Sequence, residues 1–111
     1  MPTIFGRILA GEIPARKVYE DDFCLAFYDV APAAPLHILV IPKREVASLA
    51  HIEADDEALL GRLLYRASAL GKQYCPGGFR VVINNGADAG QSVDHLHLHV
   101  LGGRAMAWPP G

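Results

Sequence analysis

The sequence predicts an α+β fold: about five strands in a largely antiparallel sheet, with one long helix and short extra helices. Three observations carry this reading. Apolar residues recur at helical spacing in one long stretch, where Leu59, Leu60, Leu63, Leu64, Ala67 and Leu70 form a stripe. Elsewhere the apolar residues fall in short runs bounded by Pro, Gly and acidic turns, as strands do. The chain has 111 residues, 51% of them hydrophobic. By length that makes one domain, 1–111, able to bury roughly two-thirds of its unfolded surface.

Taken in order, Thr3 can cap a short helix whose Ile4, Phe5, Ile8 and Leu9 share a face, with Gly11 as its stop. Arg16–Tyr19 and Phe23–Tyr28 read as two strands around the acidic turn Glu20-Asp21-Asp22. Pro32 and Pro35 mark a loop. Leu36–Ile41, L-H-I-L-V-I, is a buried strand ended by Pro42. Asp55 or Asp56 can cap the long helix, with Glu57 in its first turn and Pro76-Gly77-Gly78 at its end. Phe79–Ile83 is a further strand, Asn84–Ser92 a glycine-bearing loop, and the last strand holds the histidines. Gly102-Gly103 releases a tail ending Trp108-Pro109-Pro110-Gly111.

Composition excludes several classes. Net charge is −2 with scattered basic residues, so the footprint of a general nucleic-acid binder is missing. No apolar run approaches the ~18 residues of a membrane span, and Met1-Pro2-Thr3 does not open a secretory leader. Cys24 and Cys75 stand in no metal-ligand or redox spacing and read as reduced thiols of a cytoplasmic protein.

His95, His97 and His99 alternate with Leu96, Leu98 and Val100. On a strand, three such imidazoles share one face at about 6.5–7 Å spacing. Five histidines placed at random give this triple about once in two hundred chains of this length. An ordinary half-buried strand fills its polar face with Thr, Lys or Glu; three imidazoles suggest nitrogen lone pairs in use near neutral pH. His97 has imidazole neighbours on both sides and is the candidate nucleophile, provided that its other ring nitrogen is held as N–H. Zinc is the rival reading, because three histidines can bind it with a position left open for water. Against zinc, adjacent same-face positions of one strand are far apart for one small ion. A structural strand whose histidines only bond to neighbours is the plainest alternative.

The preceding loop strengthens the functional reading. Gly86 and Gly90 permit φ > 0, so successive N–H groups can form an anion-binding concavity. Ser92 adds a hydroxyl. Phosphate suits this arrangement. His37, inside an aliphatic strand, is either a hydrogen-bonded core residue or a relay partner for the triad. His51 reads as a surface residue. Asp29 either initiates a turn or accepts from a sugar diol.

The segment His95-Leu96-His97-Leu98-His99-Val100-Leu101 resembles the motif of the histidine triad (HIT) superfamily, His-φ-His-φ-His-φ-φ with φ apolar. The resemblance extends over nearly the whole chain through T-I-F-G-R-I, D-D-F-C-L-A-F-Y-D-V, P-L-H-I-L-V-I-P-K, G-Q-S-V, L-G-G-R and the terminal W-P-P-G. The tail is similar to that of the histidine triad nucleotide-binding (Hint) branch more than to the dinucleoside polyphosphate hydrolases. This resemblance implies a homodimer with joined sheets, a purine nucleotide site and no cofactor. Ile4, Phe5, Ile8, Phe27 and Val30 would enclose the base, and Asp29 would bind the ribose. Asn84, Gly90, Gln91, Ser92 and His99 would surround the α-phosphate, with His97 as nucleophile supported by His37 and His95. Trp108 would reach toward the partner subunit's site; beside it, Ala107 replaces a larger polar residue common in the branch. The implied activity is nucleoside phosphoramidate hydrolysis through a nucleotidyl-histidine. The alternatives are a nucleotide-binding regulatory or scaffold module with incidental hydrolysis, a dinucleoside polyphosphate hydrolase, and a zinc-dependent hydrolase.

Overall fold

A computed structural model describes residues 3–111. Five strands form one fully antiparallel sheet: β1 (Lys17–Glu20), β2 (Cys24–Tyr28), β3 (Leu36–Pro42), β4 (Phe79–Val82) and β5 (Leu98–Gly102). Their spatial order is β1-β2-β3-β5-β4. A short helix, α1 (Ile4–Leu9), precedes the sheet, and α2 (Glu57–Tyr74) links β3 to β4. The α+β class and the antiparallel sheet match the sequence expectation. Among the described residues no helix is long and apolar enough to cross a membrane.

Alternation along the central strands divides the molecule into two layers. Cys24 and Ala26 of β2, Ile38 and Val40 of β3, and Leu98 and Val100 of β5 join Leu63, Ala67 and Leu70 of α2 in the larger core. The intervening residues point the other way. Leu25, Phe27, Leu39 and Ile41 pack with Phe5 and Ile8 of α1 in a smaller core. Every residue of β3 is buried, because both of its faces are covered. His37 lies on the α1 face in step with Leu39, and this places an imidazole among aliphatics.

The element ends follow local chemistry. Thr3 Oγ1 accepts from the Gly6 N–H at 3.1 Å, and Gly11 takes φ +78° after the helix, as the stop requires. The long helix is entered differently from expectation. Neither Asp55 nor Asp56 caps it by a side-chain bond to its N–H groups. Asp56 accepts from the Glu53 N–H at 3.0 Å and from Arg44 at 2.6 Å, closing a 3₁₀ turn, and α2 begins at Glu57. Leu64 of the predicted stripe is half exposed, off the buried face.

Helix α2 contains two glycines in opposite circumstances. Gly61 is exposed and a methyl group there would meet nothing within 4 Å; at Gly71 the new methyl would run into the Phe79 ring. Gly61→Ala should therefore stabilise the fold by about 0.5–1 kcal/mol. Gly71→Ala gains the same propensity but overpacks the α2–β4 contact, which costs about 1–3 kcal/mol, so it should lower stability. Urea midpoints of the two variants, moving in opposite directions, check this; a Gly71→Ala protein as stable as Gly61→Ala would refute the packing argument.

Candidate active site

One cavity of about 270 Å³ lies on the α1 face of the sheet. Its walls are mostly apolar: Ile4, Phe5 and Ile8 of α1, Ile13, Pro14 and Ala15 beyond it, Phe27 of β2 and Leu39 of β3. Asp29, Ser92, His97 and His99 supply the polar groups, and Tyr28, Val30 and Val93 complete the lining. Nine of the residues named in the sequence reading thus share this cavity: Ile4, Phe5, Ile8, Phe27, Asp29, Val30, Ser92, His97 and His99.

The histidine segment departs from one regular strand. The β3–β5 ladder runs from Leu36↔Gly102 to Val40↔Leu98 and stops there, so only His99 of the three is in a strand. The next positions would oppose Ile41 and Pro42. Pro42 has no N–H to give, and its carbonyl is taken by His95 Nε2 at 3.0 Å. The Leu96 N–H turns instead to the Val46 carbonyl, at 2.6 Å. Alternation survives nevertheless: Leu96, Leu98 and Val100 remain in the larger core.

Backbone groups fix the proton positions of the rings. A carbonyl only accepts, so His95 carries its proton on Nε2, toward Pro42, and His97 carries its own on Nδ1, toward the His95 carbonyl 2.7 Å away. Neutral His97 therefore keeps a bare lone pair on Nε2. An N–H only donates, so the Ala33 N–H, 2.9 Å from His37 Nδ1, makes that nitrogen an acceptor and leaves the His37 proton on Nε2. His37 Nε2–H then donates to His99 Nδ1 at 2.9 Å, which puts the His99 proton on Nε2. That last nitrogen is buried and has no partner among the described residues, on a side chain that lines the cavity.

Burial reinforces the neutral states of His99 and His37. Desolvation pushes the His99 imidazole down to about 4, helped by the neighbouring His97 and His37 rings and opposed by the Asp29 carboxylate. Burial also lowers His37, again against Asp29. Phe5 holds the triad from the side, its ring edge-on to His97 at 5.1 Å between centroids and to His95 at 6.2 Å.

His95 and His37 stand behind the cavity and act on it through other groups. Asn84, Gly90, Gln91 and Trp108 lie outside its lining. The Gln91 amide is fully engaged in the loop: Nε2 donates to the Ala47 and Val93 carbonyls at 2.8 and 3.0 Å, and Oε1 accepts from the Gly86 N–H at 2.9 Å. Gln91 therefore shapes the loop. Gly86 and Gly90 do take positive φ, of 83° and 82°. However, the Gly90 and Gln91 N–H groups are spent on the Ala87 and Gly86 carbonyls, so the glycine turn itself is no open anion nest. Trp108 is 81% exposed on a tail anchored by Arg80, which donates to the Ala107 carbonyl at 3.0 Å. His51 is exposed, as expected, and bonds to Ser48.

Sequence reasoning missed Leu39, although it lies two residues from His37 on the same strand face. It also missed Ile13–Ala15, whose irregular backbone carries no periodic signal, and Ala33, which acts through its N–H alone.

Asp29, His37 and His99 bring one donor atom each to within 4.8 Å of one another. The ring tautomers do not suit a metal there. His37 would have to present a lone pair from Nε2, yet the Ala33 N–H keeps the proton on that nitrogen. His95, facing Pro42, cannot join His97 and His99 around one ion either.

The HIT domain family matches residues 10–106. An uncharacterized HIT-like protein of Synechococcus elongatus is 58% identical over 110 residues, 98% of this chain and 96% of its own. A HIT family hydrolase from Legionella pneumophila has a similar structure, with a TM-score of 0.94 at 46% identity, covering 97% of this chain and 98% of that one. A histidine triad nucleotide-binding protein from Candida albicans gives a TM-score of 0.78 at 33% identity, covering 98% and 84%. With its triad intact and nearly its whole length matched, the chain belongs to the HIT domain family.

Proposed function

We propose that this protein hydrolyses purine nucleoside 5′-phosphoramidates, of the adenosine phosphoramidate or AMP-lysine type, through a covalent nucleotidyl-histidine. The observation that carries the proposal is the bare Nε2 of His97. It belongs to a side chain lining a cavity that is apolar over most of its wall and polar where Asp29, Ser92 and His99 meet. A flat base suits the apolar part, a ribose suits Asp29, and a phosphoryl group suits Ser92 and the unpartnered His99 Nε2–H. Two similar structures belong to proteins named a hydrolase and a nucleotide-binding protein.

The chemistry follows from the proton positions. His97 Nε2 attacks the α-phosphorus, the P–N bond breaks, and the amine leaves with a proton taken up from solvent, which the attacking water of the second step returns. The nucleotidyl-imidazole keeps its Nδ1–H against the His95 carbonyl and is therefore cationic, which makes it a good leaving group for the second step. Water then attacks phosphorus, releases its proton and the nucleoside monophosphate, and restores His97. Dividing one displacement into two is the ordinary advantage of covalent catalysis. The Ser92 hydroxyl and the His99 Nε2–H stabilise charge on the phosphoryl oxygens.

We further read the working unit as a homodimer of the Hint type. Strand β4 pairs only with β5 and leaves the edge of Phe79–Val82 open, whereas the other edge, β1, is bulged and bears the Lys17–Glu20 ion pair. Charge and irregularity protect β1; β4 is regular, and its one charged residue, Arg80, is engaged with the Ala107 carbonyl. Exposed Leu64 and Trp108 add apolar surface for a partner copy to cover.

His97→Asn should reduce turnover by at least ~10³-fold, because it removes the covalent route. Nucleotide affinity should stay within about tenfold. Acid quench of the wild type should trap a protein heavier by one nucleotidyl group; a variant keeping a tenth of normal turnover would remove His97 from the role.

The histidines also set a pH dependence of stability. His99 is held near 4 in the fold and returns to about 6.5 when unfolded, so the unfolded chain binds the proton first as pH falls. Stability from this group is complete above about pH 6.5 and is lost as pH drops through 4. His37, also lowered by burial, adds to the fall in the same direction, whereas the lowered carboxylates Glu20, Asp21 and Asp56 act toward the acid end of this range and below it. The urea midpoint should fall between pH 6.5 and 4, and less so in His99→Asn; an equal fall in both proteins would show another group at work.

Sizing at micromolar concentration should give a dimer. Deleting Ala107–Gly111 should leave the dimer intact but change the ranking of kcat/KM among leaving-group amines. A monomer, or an unchanged ranking, refutes the corresponding half.

A further inference from the structure

The single proton on His37 Nε2 has two acceptors within reach: His99 Nδ1 at 2.9 Å and Asp29 Oδ2 at 3.4 Å. Asp29 is also a wall of the cavity, with its side chain 20% exposed, so a ligand can touch it. Its other oxygen is held by the Ala31 N–H at 2.8 Å. The carboxylate is thus pinned where the cavity meets the imidazole relay. We infer that Asp29 is a positioning residue that couples sugar recognition to the relay: hydroxyls donating to Asp29 withdraw it from His37, and the shared proton then bonds to His99 alone. The inference rests on the nucleotide reading above and deepens it, since the sugar would act on the chemical step as well as on affinity.

The physics is a competition for one donor. An ionised carboxylate is the stronger acceptor, but at 3.4 Å it is too far for a good bond, whereas the imidazole at 2.9 Å is well placed. In the free protein the Asp29 charge therefore attracts the His37 N–H without accepting a hydrogen bond from it. A diol that satisfies the carboxylate ends the competition. Hydrogen bonds in a chain polarise one another, so a fuller bond into His99 Nδ1 makes the His99 Nε2–H a better donor. Ala33 keeps the relay pointing one way, because its N–H prevents His37 from offering Nδ1 as a donor. No proton changes owner; only the strength of the His99 Nε2–H toward the phosphoryl group changes.

The test compares adenosine 5′-phosphoramidate with its 2′,3′-dideoxy analogue at saturation, in the full-length wild type and in Asp29→Asn. The dideoxy substrate should lower kcat by roughly three- to tenfold in addition to raising KM. Asp29→Asn removes the competing charge, so it should raise kcat for the dideoxy substrate and bring the two substrates to the same kcat. A dideoxy effect on KM alone, with kcat unchanged, would make Asp29 a simple anchor and overturn the coupling. A second readout does not need turnover. In ¹⁵N-labelled His97→Asn, AMP should shift the His37 Nε2–H resonance, and 2′,3′-dideoxy-AMP, which carries the same phosphate, should bind without shifting it. Equal shifts from both nucleotides overturn the coupling, even in a protein whose wild type hydrolyses phosphoramidates. Shifts from AMP alone uphold it, even if the phosphoramidate activity fails.

Discussion

The hydrogen-bonding polarity of three backbone groups determines how the rest of the site is arranged. The carbonyls of Pro42 and His95 can only accept, and the Ala33 N–H can only donate. Each meets one nitrogen of an imidazole, and an imidazole with one proton has no freedom left once one nitrogen is assigned. Water could serve either tautomer; backbone serves one. Protonating His37 would aim a new N–H at the Ala33 N–H, so the geometry opposes the cation independently of burial. The relay is consequently neutral and directional, and His97 is left with a lone pair on the nitrogen that no backbone group claims.

Those backbone groups are in place because β3 is buried on both faces. A shift of one residue in the β3–β5 register would move His37 into the α2 core and Ile38 into the site. Such a slip would bury an imidazole among Leu63, Ala67 and Val100 and expose an aliphatic to the polar end of the cavity. Both outcomes are costly, and they protect the register on which the 2.9 Å His37–His99 contact depends. Packing and chemistry therefore select the same alignment, which reduces frustration between them.

Much of this could be read from residues alone. The apolar run L-H-I-L-V-I before Pro42 marked one central strand, and the alternation in H-L-H-L-H-V marked the face that its imidazoles share, because side-chain alternation needs only local backbone extension. The long helix was legible from its stripe, and the loop glycines from their position. What stayed hidden was non-local or made by backbone. Nothing in the sequence says that the Pro42 carbonyl would end the β3–β5 ladder at Leu98, or that Gln91 would spend its whole amide on Ala47, Val93 and Gly86. Asp56 stands at the N-cap position expected of it, yet its side chain is engaged elsewhere for a related reason. It carries the residue type of a helix cap, but Arg44, twelve residues away in sequence, competes for its carboxylate. Residue type gives the chemistry on offer; only the fold reveals which partner takes it.

The loop shows how rigidity is supplied where no regular element exists. Gln91 ties residues 86 and 93 to the segment at Ala47, and the Asn85 side chain accepts from the Ala50 N–H at 2.8 Å. Two amide side chains thus fasten the loop to the chain that follows β3, and Leu96 adds a backbone bond to Val46 in the same region. Ser92 and Val93 reach the cavity between these fixed points. A phosphoryl group bound there would meet groups already positioned, so little ordering entropy remains to be lost on binding. The apolar wall works differently. It offers shape and area but no directional bond, so it can hold a base without selecting its hydrogen-bonding edge. Orientation must then come from the polar end, where Asp29, Ser92 and His99 line the cavity beside His97.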